Sequence, residues 1–149
     1  MSESFDLLDP TNVVAGTIGA PGERIFFIQA HDASDLVTLK LEKGQVQALA
    51  SGIAEVLDDL GDETAPVRPT EMIEPVMAAW TVGGLGIGID QDADRVVVLA
   101  EELVDEEDDE PARAHFHLGY GQARGFVAHA LSLIDLGRDF GRQNGHHPH

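Results

Sequence analysis

The chain has 149 residues, 27 Asp plus Glu against 9 Lys plus Arg, a net charge of −18 and no cysteine. The lack of thiols excludes disulfides, iron–sulfur clusters and thiolate zinc sites, and a field of that sign disfavours phosphate backbones and anionic membrane surfaces as partners. No apolar run approaches the ~18 residues of a membrane span, and Met1-Ser2-Glu3-Ser4 lacks the basic and apolar regions of a leader, so the expectation is a single cytoplasmic domain covering 1–149.

Residues 1–12 hold one apolar cluster, Phe5, Leu7 and Leu8, expected as a short edge strand or a tail. A hairpin follows. Val13–Ile18 leads into the turn Gly19-Ala20-Pro21-Gly22, where proline fixes φ and glycine permits positive φ. The return strand opens on Ile25-Phe26-Phe27-Ile28, a run rich in β-branched and aromatic residues. Leu36–Leu41 alternates, with Leu39 and Leu41 on one face and Thr38 and Lys40 on the other. Val46, Leu49, Ala50, Ile53 and Leu57 then recur at helical spacing, which predicts a helix over Lys43–Leu60 capped by Gly61.

Gly61–Pro75 carries Pro66, Pro69 and Pro75 and reads as the connector between two halves, with a short helical turn near Thr70–Ile73. Beyond it a buried Trp80 opens the second half. Its strands are expected at about Trp80–Ile89, Arg95–Glu102 and Ala112–Leu118. Glu101–Glu110 places eight acids in ten positions and reads as a solvated, disordered block. A second helix is expected over Tyr120–Leu136, stopping near Gly137, with 138–149 as a flexible tail.

The halves, about 13–60 and 80–137, resemble each other. Leu41 to Val46 returns as Leu118 to Ala123, each position 77 later (41 to 118), with Gly44-Gln45 matched by Gly121-Gln122. The same offset carries Leu49, Ala50, Ile53 and Leu57 onto Phe126, Val127, Ala130 and Ile134. The fold class expected is therefore α+β: two tandem βββα repeats, with antiparallel sheet or sheets packed against two long helices.

Several patterns carry candidate chemistry. Gly83-Gly84-Leu85-Gly86-Ile87-Gly88 looks like a phosphate loop, but a strand follows it where a helix N-terminus is required; close strand packing or a bulge is the better reading. Asp90, Asp92 and Asp94 with Glu101 echo a calcium-loop spacing, yet Arg95 stands where the sharp turn needs glycine. His115 and His117, at i and i+2 of a strand, share a face and are the best metal candidates, although plain polar alternation explains them too. Arg24, Gln29 and Arg95, at or beside strands in both halves, are the candidate ligand contacts.

The string Ala15-Gly16-Thr17-Ile18-Gly19-Ala20-Pro21-Gly22-Glu23-Arg24-Ile25-Phe26-Phe27-Ile28-Gln29-Ala30, followed by Leu41-Glu42-Lys43, resembles an uncharacterised bacterial family, mainly actinobacterial, known only as a domain of unknown function. The resemblance runs from about residue 5 to 137. Members often end in a cysteine-rich tail that looks like a zinc ribbon; this chain keeps Arg142-Gln143-Asn144-Gly145 without any cysteine, so that knuckle is expected to be missing. The resemblance implies no activity, substrate or catalytic residue.

No nucleophile–base signature is present, so the sequence favours a non-catalytic binding or adaptor module. Its acidic 101–110 segment, or the groove between halves, would engage a basic protein partner. The alternative is a metal-dependent enzyme or small-ligand protein using His115, His117 and nearby carboxylates.

Overall fold

A computed structural model describes the backbone of residues 2–20, 22–106 and 109–145, with side chains as far as Asp135. The elements in chain order are β1 (Phe5–Leu7), β2 (Asn12–Ile18), β3 (Ile25–His31), β4 (Leu36–Leu41), α1 (Lys43–Leu60), β5 (Trp80–Asp90), β6 (Arg95–Glu102), β7 (Arg113–Gly119) and α2 (Tyr120–Gly145). Among the described residues the strands form one seven-stranded sheet, ordered β1-β7-β6-β5-β4-β3-β2.

The sheet is mixed rather than antiparallel throughout. β2–β3–β4 and β5–β6–β7 are antiparallel meanders, but β5 runs parallel to β4 and β1 parallel to β7. The reason lies in the connection. A strand that follows a helical crossover and returns beside its predecessor must point the same way, and α1 with the long connector supplies such a crossover between β4 and β5.

The N-terminal segment belongs to both edges of the sheet. Flat, six strand spacings of about 4.8 Å would separate β1 from β2 by roughly 29 Å. The five residue steps from Leu7 to Asn12 reach at most about 18 Å, so the sheet curls strongly. Consistently, α2 touches β2 at one edge and β7 near the other.

One face of every strand joins both helices in a single core. Phe116, Phe126, Ile28, Leu39, Ile53 and Leu118 are among its fully buried side chains. Each large aliphatic or aromatic group so buried contributes about 1.5–3 kcal/mol gross. α1 starts where Gln45 Oε1 accepts the Glu42 N–H at 2.7 Å. It ends at Gly61, whose φ of 67° lets the terminal amides turn back onto Asp58 and Leu57 carbonyls.

A glutamine near the start of each helix reaches a segment distant in the chain. Gln45 donates to the Val82 carbonyl of β5 at 3.2 Å, and Gln122 donates to the Pro10 carbonyl ahead of β2 at 3.0 Å. Each helix is thereby tied to the strand that opens the other three-strand unit.

Four expectations need correction. Thr38 is buried (4% exposed) where its face of β4 was expected to meet solvent, while Lys40 on that same face is exposed. The cover is the connector, which holds no helical turn near Thr70–Ile73; it lies without regular structure over the sheet's back face, the one away from the helices. The acidic block Glu101–Glu110 is ordered at its start, where Glu101 and Glu102 close β6 as the expected strand Arg95–Glu102 has them; Glu107 and Asp108 of that block lie outside the described residues. α2 continues to Gly145, so most of the expected tail is helical. Glycines such as Gly137 cost a helix only about 1 kcal/mol each and do not break it as proline would. His146, His147 and His149 lie outside the described residues.

Candidate functional site

The connector is held by two buried amides. Asn12 donates from Nδ2 to the Thr70 carbonyl at 3.1 Å and accepts the Thr70 N–H on Oδ1 at 2.9 Å. Gln29 does the same for Ile73, with Nε2 to the carbonyl at 3.1 Å and the N–H to Oε1 at 2.7 Å, and it also donates to Thr38 Oγ1. Gln29 is 1% exposed and Asn12 6%, so each paired contact satisfies polar groups that would otherwise be buried unpaired. Met72 lies between these clamps against Gly16, where an added Cβ would stand 2.7 Å from its Sδ.

An earlier stretch of the connector, 62–67, meets α2. The Val67 N–H donates to the Gly121 carbonyl at 2.8 Å, and Arg124 pairs with Asp62 at 3.1 Å while also donating to the Asp62 carbonyl. Burial alone would raise the Asp62 carboxyl, but hydrogen bonds from Thr64 and Arg124 outweigh it and hold the group below its ordinary value.

This packing leaves a groove of about 680 Å³ between α1, α2 and the connector. Ala54, Leu57, Pro66, Val127 and Ala128 provide its apolar lining; Glu55 and Asp58 add acids from α1, and Arg124 stands within it already paired. Glu55 and Asp58 are exposed. Neither Arg24 nor Arg95 lines it.

Those two arginines engage separate surroundings. Arg24 stacks over the Phe26 ring at 5.3 Å and donates to the Leu133 carbonyl of α2 at 3.4 Å. Arg95 pairs with Asp9 at 3.0 Å and donates to the His117 carbonyl at 3.4 Å. Pairing register sets them one position apart: Thr17 faces Phe26 and Ile89 faces Val96, so Arg95 matches Ile25 rather than Arg24. Gln29 is occupied by the connector.

His115 and His117 share the back face of β7, as their spacing predicts. His117 Nε2 lies 3.0 Å from Asp6 Oδ1 of β1. Among the described residues, no group of three or more His, Asp or Glu side chains is placed to hold a metal ion. The glycine run of β5 contains a register shift between Val82 and Gly84, and at Gly83 an added Cβ would stand 2.8 Å from the Leu103 backbone. Asp90–Asp94 forms the tight turn of the β5–β6 hairpin, with the Ala93 N–H donated to Asp90 Oδ1 at 3.2 Å.

At the far end of β6, Glu102 accepts from the Ser2 hydroxyl at 2.5 Å and from the Ala112 N–H at 3.1 Å, which together hold its carboxyl below the usual range. The amide clamps escaped sequence reasoning as a device. Their one visible signal is a glutamine inside the apolar run Ile25–Ala30.

No helix among the described residues is long and apolar enough to cross a membrane. No curated protein matches the chain, and no solved structure matches it. A family model described as "Protein of unknown function (DUF3090)" matches residues 5–143.

Proposed function

The chain belongs to this family of unknown function, and we propose that the protein is a non-catalytic binding module whose helix groove receives a basic segment of a partner protein. The observation that carries the reading is the groove itself: apolar lining from two helices and a proline, with exposed Glu55 and Asp58 beside it. Such a surface suits an amphipathic helix that presents apolar side chains to the lining and Lys or Arg to the acids. The net charge of −18 speeds the approach of a basic partner, and the acidic Glu101–Glu110 segment adds to that attraction.

A synthetic Leu/Lys amphipathic helical peptide, titrated calorimetrically, tests the reading. Binding should weaken at least about tenfold, or ~1.4 kcal/mol, in the Glu55→Lys/Asp58→Lys double variant. It should also weaken in Ala54→Trp, which obstructs the lining without changing charge. Undiminished binding by Ala54→Trp would show that the peptide sits elsewhere.

A metal or small-ligand site at His115 and His117 is the second reading, favoured by their shared face and by Asp6 beside His117. Metal analysis of untagged protein with and without His115→Ala separates the two. We also infer that the two strand-strand-strand-helix units descend from one duplicated ancestor. Matching registers (Thr17–Phe26–Leu41 against Ile89–Val96–Leu118) and the reciprocal Gln45 and Gln122 contacts support this.

A further inference from the structure

The two halves of the sheet treat their back faces differently. In the first half the back face is covered by an extended stretch of the molecule's own chain, clamped at Thr70 and Ile73, with Met72 seated over Gly16. In the second half no such cover is present among the described residues: Gly84 and Gly88 are exposed, and Val97, Leu99, His115 and His117 are half-exposed.

The strands can be matched row by row. Leu41 and Leu118 each stand two residues before a helix. The adjoining row, which points to the back face, is Lys40–Phe27–Gly16 in the first half and His117–Val97–Gly88 in the second. The row after the next is Thr38–Gln29–Val14 against His115–Leu99–Gly86. The glycine that admits Met72 thus has a counterpart in Gly88, where an added Cβ would meet nothing within 4 Å. The amide that clamps the connector has been replaced by Leu99. The backbone at Gly88 is open to approach, with the half-exposed Val97 and Leu99 beside it. Acids stand at both ends of the row of glycines: Asp90, Asp92 and Asp94 at the β5–β6 turn, and Glu101 with Asp105 and Glu106 at the other. Glycine in a strand marks a bulge, as at Val82/Gly84, or leaves room for another backbone or a ligand to approach closely, as the open Gly88 does.

We infer that the back face of β5–β6–β7 docks an extended segment of a partner protein, with a methionine-like unbranched side chain seated over Gly88 against Val97 and Leu99 and basic residues on either side facing the acidic ends. The surface is distinct from the helix groove, and the inference stands or falls without it. An unbranched thioether suits such a seat because it adapts to an irregular, shallow surface.

The probe is a nine-residue peptide with the connector's own order and its two glutamates changed to lysine: Arg-Pro-Thr-Lys-Met-Ile-Lys-Pro-Val. It is titrated into the full-length ¹⁵N-labelled protein. The amides of Gly84, Gly86 and Gly88 are expected to shift saturably. The shifts should be lost with Gly88→Val, a substitution that meets open space and suits a strand. They should weaken at least about tenfold when the peptide's methionine is replaced by serine at unchanged charge. Equal binding by the serine peptide, or by Gly88→Val, would reduce the effect to charge attraction and overturn the proposal. Shifts confined to Ala54 and Val127 would overturn it too, by placing the peptide in the helix groove. Concentration-dependent shifts of the same glycines without peptide would name a second copy of the chain as the occupant and likewise overturn it.

Discussion

Gly125→Ala should lower the stability of the protein, although alanine in a helix interior ordinarily raises it. α2 crosses the connector at Gly121 and Gly125. An added Cβ at Gly125 would stand 2.6 Å from the Val67 carbonyl carbon and closer still to its oxygen; at Gly121 it would stand 2.8 Å from the Ala65 oxygen. These obstacles are backbone atoms, which cannot swing aside like the end of a side chain. A relaxed carbon–oxygen contact needs about 3.3–3.6 Å, so the connector must retreat and stretch the 2.8 Å bond from the Val67 N–H to the Gly121 carbonyl. Overpacking costs about 1–3 kcal/mol and the lost hydrogen bond about 0.5–1.5 kcal/mol, while the gain in helix propensity is about 1 kcal/mol. The net loss is about 1–3 kcal/mol. At roughly 2–4 °C per kcal/mol for a chain of this size, Tm should fall by roughly 2–12 °C. Gly44→Ala in α1 is the control, because its added Cβ meets nothing within 4 Å; it should raise stability by about 0.5–1 kcal/mol. Paired thermal melts followed by circular dichroism compare the two. If Gly125→Ala gained stability as Gly44→Ala does, the seating of the connector on α2 would be refuted.

Three further outcomes are expected. Gln29→Ala should cost about 1–3 kcal/mol, since it leaves the buried Thr38 hydroxyl and the part-buried amide and carbonyl of Ile73 without their partner, and hydrogen exchange should accelerate across 68–76; unchanged exchange there would show that the clamp does not hold the segment. Asp62 has a folded value held below its ordinary 3.8, so its contribution is present above that range and is lost as pH falls through the folded value. Asp62→Asn should therefore destabilise at neutral pH and flatten the decline seen below about pH 4; parallel curves for variant and parent would count against it. With a net charge of −18, raising salt from about 0.01 to 0.15 M shortens the screening length from about 30 to 8 Å, and Tm should climb; a flat response would mean that self-repulsion is not a material cost.

Local elements were legible because their causes are local. The span Lys43–Leu60 and its cap at Gly61 follow from 3.6-residue spacing and a glycine able to take positive φ, and α1 has those bounds. The runs around Ile25–Ile28 and Arg95–Glu102 read as strands for the same kind of reason. The helix groove was not legible: Glu55 and Asp58 look like any solvated helix acids until α2 and Pro66 are set beside them.

The order of the strands was not legible. Nothing in Trp80–Asp90 says that it will lie parallel to β4, or in Phe5–Leu7 that it will lie parallel to β7, since either edge would accept an added strand. Likewise Gln29 showed only as a polar residue among apolar ones, and its partner Ile73 lies 44 residues on. What the sequence determined by itself was periodicity, punctuation and charge, properties carried within a few residues of chain. What the tertiary structure alone decided was which faces meet: the connector over the back of β2–β4, the back of β5–β7 left open among the described residues, and the groove between helices. Those choices depend on packing and on satisfying buried amides between segments far apart along the chain, where no local pattern records the partner.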